Sequence, residues 1–159
     1  MAAFAIALTI LDPGDPTVGE FEFAGSAQRA AEMMAEWGES GRDLARLSLW
    51  LDFGFLLSYG SFFALAALAT RDFARSHGLR LLAAVGIVAP LCAALAACFD
   101  AVENVNLLLV LGGHGGSVSP VLATVCASIK WVLILIAIAY VLWGLIARLL
   151  QRVRADEGY

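Results

Sequence analysis

Residues Pro120 to Ala147 read PVLATVCASIKWVLILIAIAYVLWGLIA, an apolar run interrupted by one cation, Lys130. A helix needs about 20 predominantly apolar residues to span a bilayer, so this run is long enough to cross. Lys130 is the only lysine in the chain. A cation near the middle of a membrane helix costs roughly 3 kcal/mol on insertion scales. Such a residue therefore calls for a carboxylate partner or a water-filled cavity.

Two more apolar runs stand upstream, from Leu44 to Thr70 and from Leu79 to Leu111. At about 1.5 Å per residue, residues 79–111 exceed a hydrocarbon core of about 30 Å. That run must tilt, kink near Gly86 or Pro90, or project beyond the bilayer. Composition agrees: 61% of residues are hydrophobic, against about 45–50% in soluble domains, and the mean hydropathy is +0.83. The expected fold is all-α, a single integral membrane helical bundle over 1–159 with three long transmembrane helices at 44–70, 79–111 and 121–147. Residues 1–11, MAAFAIALTIL, are apolar but half a span long, and lack the basic start and cleavage site of a secretory signal. They read as a short or partial first helix, giving a four-helix bundle, or as an interfacial segment.

Between residue 12 and the first long span lies an acidic stretch, with eight acids and two arginines over 12–43. Two prolines and a glycine in Asp12 to Pro16 break any helix. Thr17 to Phe23 alternates apolar and polar residues and suggests an extended piece. Ser26 reads as the N-cap of a short amphipathic helix, 26–38. Ala30, Met33, Met34 and Trp37 fall on one face and Glu32, Glu36 and Glu39 mostly on the other. Such a helix lies on the membrane surface or over the mouth of the bundle. Gly54, Gly60 and Ser61 suggest close helix packing.

Charge sets the expected orientation. The loop Arg71 to Arg80 holds three arginines, and the tail 148–159 adds Arg148, Arg152 and Arg154. The loop 112–119 has no lysine or arginine. The positive-inside rule places the first loop and the tail in the cytoplasm, and 12–43 and 112–119 outside, as in a bacterial inner membrane.

Four ionisable residues lie inside the long runs: Asp52, Asp100, Glu103 and Lys130. Counted along each helix, all four sit roughly 12–17 Å from an outer end. Asp100, Glu103 and Asn104 stand at i, i+3 and i+4, hence on one face. Ser48, Asp52 and Tyr59 form a polar stripe on the first long span. Lipid penalises polar faces, so both should turn inward and meet. The candidate ligand or proton site is therefore Ser48, Asp52, Tyr59, Asp100, Glu103, Asn104 and Lys130. Three carboxylates against one ammonium do not balance. Either carboxylates hold protons, or a cation or cationic ligand completes the site, or Arg46 reaches down. A cluster that only fixes helix register is the competing reading.

Other chemistries are poorly served. The cysteines, Cys92, Cys98 and Cys126, form no CxxC and read as small buried thiols. Two histidines without helical pairing suit neither haem nor a metal. No cofactor is expected, and no basic stripe offers a nucleic-acid surface. Trp131, Tyr140 and Trp143 read as interfacial or core aromatics, and GGHGG as a turn.

The chain resembles an uncharacterised group of small bacterial polytopic membrane proteins. The resemblance rests on Phe21-Glu22-Phe23-Ala24-Gly25, Trp37, Leu51-Asp52-Phe53, Asp100 to Asn104, and Lys130. It covers most of the chain after residue 17 and carries no activity with it. Members of that group begin with a full-length first helix, where this chain has a short one. Quinone-linked thiol reductases, small multidrug exporters and claudin-like proteins fit poorly. The first lacks its CxxC here, the second its early glutamate, and the third its paired cysteines.

Three functions compete. The first is a buried centre that binds or relays a proton, cation or small ligand, in a transporter- or channel-like subunit. Three or four helices are thin for a pore, so this implies a homo-oligomer or a larger complex. The second is an accessory or scaffold subunit of a membrane complex. The third is a membrane-embedded acid/base enzyme acting on a lipid or isoprenoid, which requires an apolar cavity reaching the cluster. Expected partners are the bilayer, further copies or subunits, and a small cationic or lipidic ligand.

Overall fold

A computed structural model of the chain describes residues 2–156. The last three residues of the expected tail, 157–159, lie outside the described residues. The protein is an all-helical integral membrane bundle, and among the described residues there is no strand. Its helices are α1 (Ala2–Ile10), α2 (Val18–Glu22), α3 (Ala27–Ser76), α4 (Arg80–Val85), α5 (Val88–Leu111) and α6 (Val118–Asp156). Three are long and apolar enough to cross a membrane: α3, α4 with α5, and α6 up to Val153.

The nine residues of α1 rise only about 14 Å, about half of a crossing. It packs as a short fourth helix against α3. The other helices meet through small residues. The buried positions of α5 include Ala89, Ala93, Ala96, Asp100, Glu103 and Leu107, a spacing of three or four that puts them on one face. On α6, Ala123, Ala127, Lys130, Ala137 and Tyr140 are buried. Small side chains let helix axes approach closely, which is how membrane helices gain packing energy. Gly60 is one such contact: a Cβ there would come within 3.0 Å of the Ala97 Cβ. Ser61 instead faces outward, as does Cys98, while Cys92 and Cys126 are buried. Leu57, Leu65, Leu91, Leu95, Leu135 and Leu142 point away from the bundle, as a hydrocarbon surround requires.

Two boundaries differ from the sequence expectation. The amphipathic helix starts from its Ser26 cap and stops at Gly38 as expected, but the next helix begins directly after the kink rather than at Leu44. Gly38 adopts φ +64° and ψ −162°, outside the helical range, so two helical segments of α3 meet at a kink there; an L side chain would resist that conformation. Thr17 to Phe23 is helical rather than extended. The Thr17 hydroxyl accepts from the Glu20 N–H at 3.1 Å, and the Glu20 carboxylate accepts from the Thr17 N–H at 2.7 Å. This reciprocal capping box starts a helix and overrides the alternation of side chains. It also holds the exposed Glu20 carboxyl below its usual range.

The first part of α3 lies over the mouth of the bundle. Ala30, Met33 and Trp37 are buried against Phe21, Leu107, Val110 and Ala123, and Glu32, Glu36 and Glu39 are exposed. Phe21 and Trp37 rings lie 4.9 Å apart, and the Trp37 indole N–H donates to the Pro16 carbonyl. Each large apolar side chain withdrawn from water there contributes about 1.5–3 kcal/mol.

The long second run breaks between α4 and α5, at Gly86 and Ile87. A Cβ on Gly86 would collide with the Tyr140 hydroxyl and the Arg71 side chain. The Tyr140 hydroxyl donates to the Leu82 carbonyl at 3.1 Å, in the turn before the break.

Candidate functional site

Lys130 is 5% exposed and lies among three carboxylates. Its Nζ is 3.0 Å from Asp100 Oδ1, 3.0 Å from Glu103 Oε1 and 3.4 Å from Glu22 Oε2. Glu103 Oε2 stands 2.8 Å from the same nitrogen but accepts no well-directed hydrogen bond. Glu103 is fully buried and Asp100 nearly so, at 0% and 3% exposure. Their spacing on α5 turns both toward α6, where Lys130 projects.

The other face of Asp100 is used as well. Oδ2 accepts from the Tyr59 hydroxyl at 2.8 Å, which ties α3 to the centre. Asp52 does not touch Lys130 directly. Its Oδ2 accepts from the Asn104 amide at 2.7 Å, so the i+4 neighbour of Asp100 links Asp52 to the cluster. Ser48, one turn before Asp52, is buried and borders the same space as Asp52 and Asn104. Arg46 does not reach down: it is exposed and pairs with Asp43 at 2.7 Å.

Glu22 is the member that the intramembrane runs could not supply. It comes from α2, outside the long helices. Thr124 of α6 holds it there, since its hydroxyl donates to the Glu22 carbonyl at 2.9 Å and accepts from the Gly25 N–H at 3.0 Å. Thr124 is six residues before Lys130, a rise of about 9 Å. The Glu22 side chain therefore only has to extend along α6 to reach the ammonium. Burial pushes the Glu22 carboxyl above its usual range, against the opposing pull of Lys130. A signal for Glu22 was present in the sequence, in the Phe21 to Gly25 motif.

Glu22, Asp100 and Glu103 thus surround one lysine, and Asp52 borders the same cavity as a fourth carboxylate. Negative groups outnumber the positive one by three if all are ionised. An interior rarely tolerates such an excess without a counter-charge or protons.

Two cavities meet at this centre. One, of about 440 Å³, is bordered by Asp12, Thr17, Glu22, Ser48, Asp52 and Asn104 and lies toward the acidic segment. The other, of about 540 Å³, runs from Glu22, Asp52, Asp100 and Lys130 along Phe55, Tyr59, Phe63, Trp131 and Ile134. Leu8, Glu22 and Asp52 border both. The Trp131 ring centre lies 5.9 Å from Lys130 Nζ, and this residue is half exposed at the flank of α6. The larger cavity is thus acidic at one end and aromatic along its wall. No family of known proteins, characterised protein or solved structure matches the chain.

Proposed function

We propose that this protein binds a small amphiphile with a cationic head, seating the head among Glu22, Asp52 and Asp100 and the apolar part along Phe55, Phe63, Trp131 and Ile134. The observation that carries the reading is the larger cavity. It joins an acidic centre that Lys130 only partly compensates to an aromatic wall in one space, and its size falls within the roughly 300–1,000 Å³ of small-molecule sites. The head supplies positive charge that Lys130 alone does not, and aromatic faces attract cations as well as apolar groups. We orient the chain with its arginine-rich end in the cytoplasm of a bacterial cell, which puts the centre in the outer half of the inner membrane. The smaller cavity then gives the centre a polar path to the outside, as handling of a proton, cation or ligand by a transporter-like subunit requires.

Equilibrium dialysis of the protein in nanodiscs tests the reading with tetraphenylphosphonium and its neutral analogue triphenylphosphine oxide. Saturable binding of the cation is expected, weakened about tenfold or more by Asp52→Asn through loss of a charged contact. Equal partition of cation and neutral analogue, unchanged in the variant, overturns it.

A second reading draws on the same lateral cavity. Tyr59, Asp100 and Lys130 form a chain of proton donors and acceptors at the head of an apolar channel. That is an arrangement suited to acid/base chemistry on a lipid or isoprenoid.

A further inference from the structure

A separate cavity, independent of the acidic centre, opens at the opposite end of the bundle. Arg71 and Arg75, in the last turns of α3, and Arg80, the first residue of α4, line a space of about 430 Å³ together with Ala74, Gly78 and Ala83. The turn between the helices brings them together. Gly78 takes φ +69°, and the Leu79 N–H donates back to the Ala74 carbonyl at 2.8 Å, so Arg80 returns toward the α3 arginines. Arg71 is held by packing: its side chain crosses Gly86 so closely that a Cβ there would collide with it. The Arg71 Nε is buried and has no hydrogen-bond partner.

The cavity also lacks negative charge. Among the described residues none of the three arginines has a carboxylate within 4.0 Å, and Asp72, the one acid between residues 71 and 80, is exposed. Arg148 and Arg152 line a neighbouring cavity at the same end and add to the positive field. Arg148 is already engaged, with Nη2 donating to the Ala69 carbonyl at 2.8 Å and its guanidinium over the Phe73 ring. Three guanidinium groups with free donors around one hollow match a phosphate oxyanion, whose oxygens accept paired N–H bonds. The hollow lies at the turn joining two helices long and apolar enough to cross a membrane, a place where a headgroup can reach it. Basic pockets between membrane helices take up anionic headgroups in this position.

We propose that Arg71, Arg75 and Arg80 form a phosphate-binding site for the headgroup of an anionic phospholipid. Native mass spectrometry of the full chain in detergent tests this, with added phosphatidylglycerol or phosphatidylcholine of the same acyl chains. The wild-type protein should retain phosphatidylglycerol preferentially. Arg75→Gln/Arg80→Gln changes only exposed side chains, and should lower that preference by about thirtyfold. Arg29→Gln, an exposed ion-paired arginine at the other end, should leave it unchanged. Equal retention of the two lipids by the wild type overturns the proposal, as does a preference that survives the double substitution. Inorganic phosphate separates the sources: failure to displace phosphatidylglycerol supports the lipid, and displacement at millimolar concentration overturns it in favour of a soluble phosphate.

Discussion

Replacing Lys130 with methionine removes the ammonium while keeping an unbranched apolar stem of similar reach. The Nζ lies 3.0 Å from Asp100 and 2.8 Å from Glu103. At an effective dielectric constant of about 20, each contact is worth about 5–6 kcal/mol of Coulomb energy before desolvation is counted. The observable loss is smaller, because an orphaned carboxylate can take a proton. Neutralising an ordinary carboxylate at pH 7 costs about 4 kcal/mol, which caps the penalty per group. Breaking a buried ion pair from one side typically costs about 3–5 kcal/mol. For a chain of this size that corresponds to a fall in apparent Tm of about 6–20 °C, read by thermal unfolding in detergent. The sign of a second substitution is more telling. Lys130→Met/Glu103→Gln removes one orphaned carboxylate and should regain part of the loss, by about 1–3 kcal/mol. A Lys130→Met protein with unchanged Tm, or a double variant less stable than the single one, refutes a buried ion-pair centre.

Thr124→Ala deletes both hydrogen bonds that hold residues 22–25 on α6; it should cost about 1–3 kcal/mol and weaken tetraphenylphosphonium binding, while Ser128→Ala, whose hydroxyl bonds only its own helix at Thr124, should leave binding intact. Glu22 predicts a pH dependence. Its carboxyl is raised by burial above the ordinary 4.5, so its stabilising contribution is full below that pH and is lost as pH rises through the raised value. Thermal midpoints between pH 4.5 and 8 should therefore fall less in Glu22→Gln than in the wild type, and parallel curves would count against a buried Glu22.

Much of the bundle is legible from residue periodicity. The apolar runs around Lys130, Asp52 and Asp100 are each long enough to cross a membrane, and Gly86 stands where an overlong run has to break. The i, i+3, i+4 spacing of Asp100, Glu103 and Asn104 likewise fixes their common face before any packing is considered. Glu22 is harder to see. It lies in a short polar stretch, and only the distant Thr124 hydroxyl brings it to α6, an arrangement that no local pattern encodes. The helix over 18–22 was hidden for a related reason. The alternation in TVGEFEF resembles a strand, whereas the reciprocal Thr17–Glu20 capping box starts a helix and outweighs it. Gly38 is easier: a glycine that closes an amphipathic pattern marks the kink where the surface segment turns into the first span. The cavities depend on how far side chains leave α3 and α6 apart, which composition does not specify.

The proposed ligand, a cationic amphiphile, would sit between the acidic centre and the aromatic wall. The most direct measurement is an anomalous-diffraction map of the protein crystallised with tetraphenylarsonium. The arsenic peak should lie in the cavity bordered by Asp52, Tyr59, Asp100 and Trp131, and should vanish in crystals of Asp52→Asn grown at the same probe concentration. A peak only on the outer, lipid-facing surface, or an equally strong peak in the variant, would contradict the account.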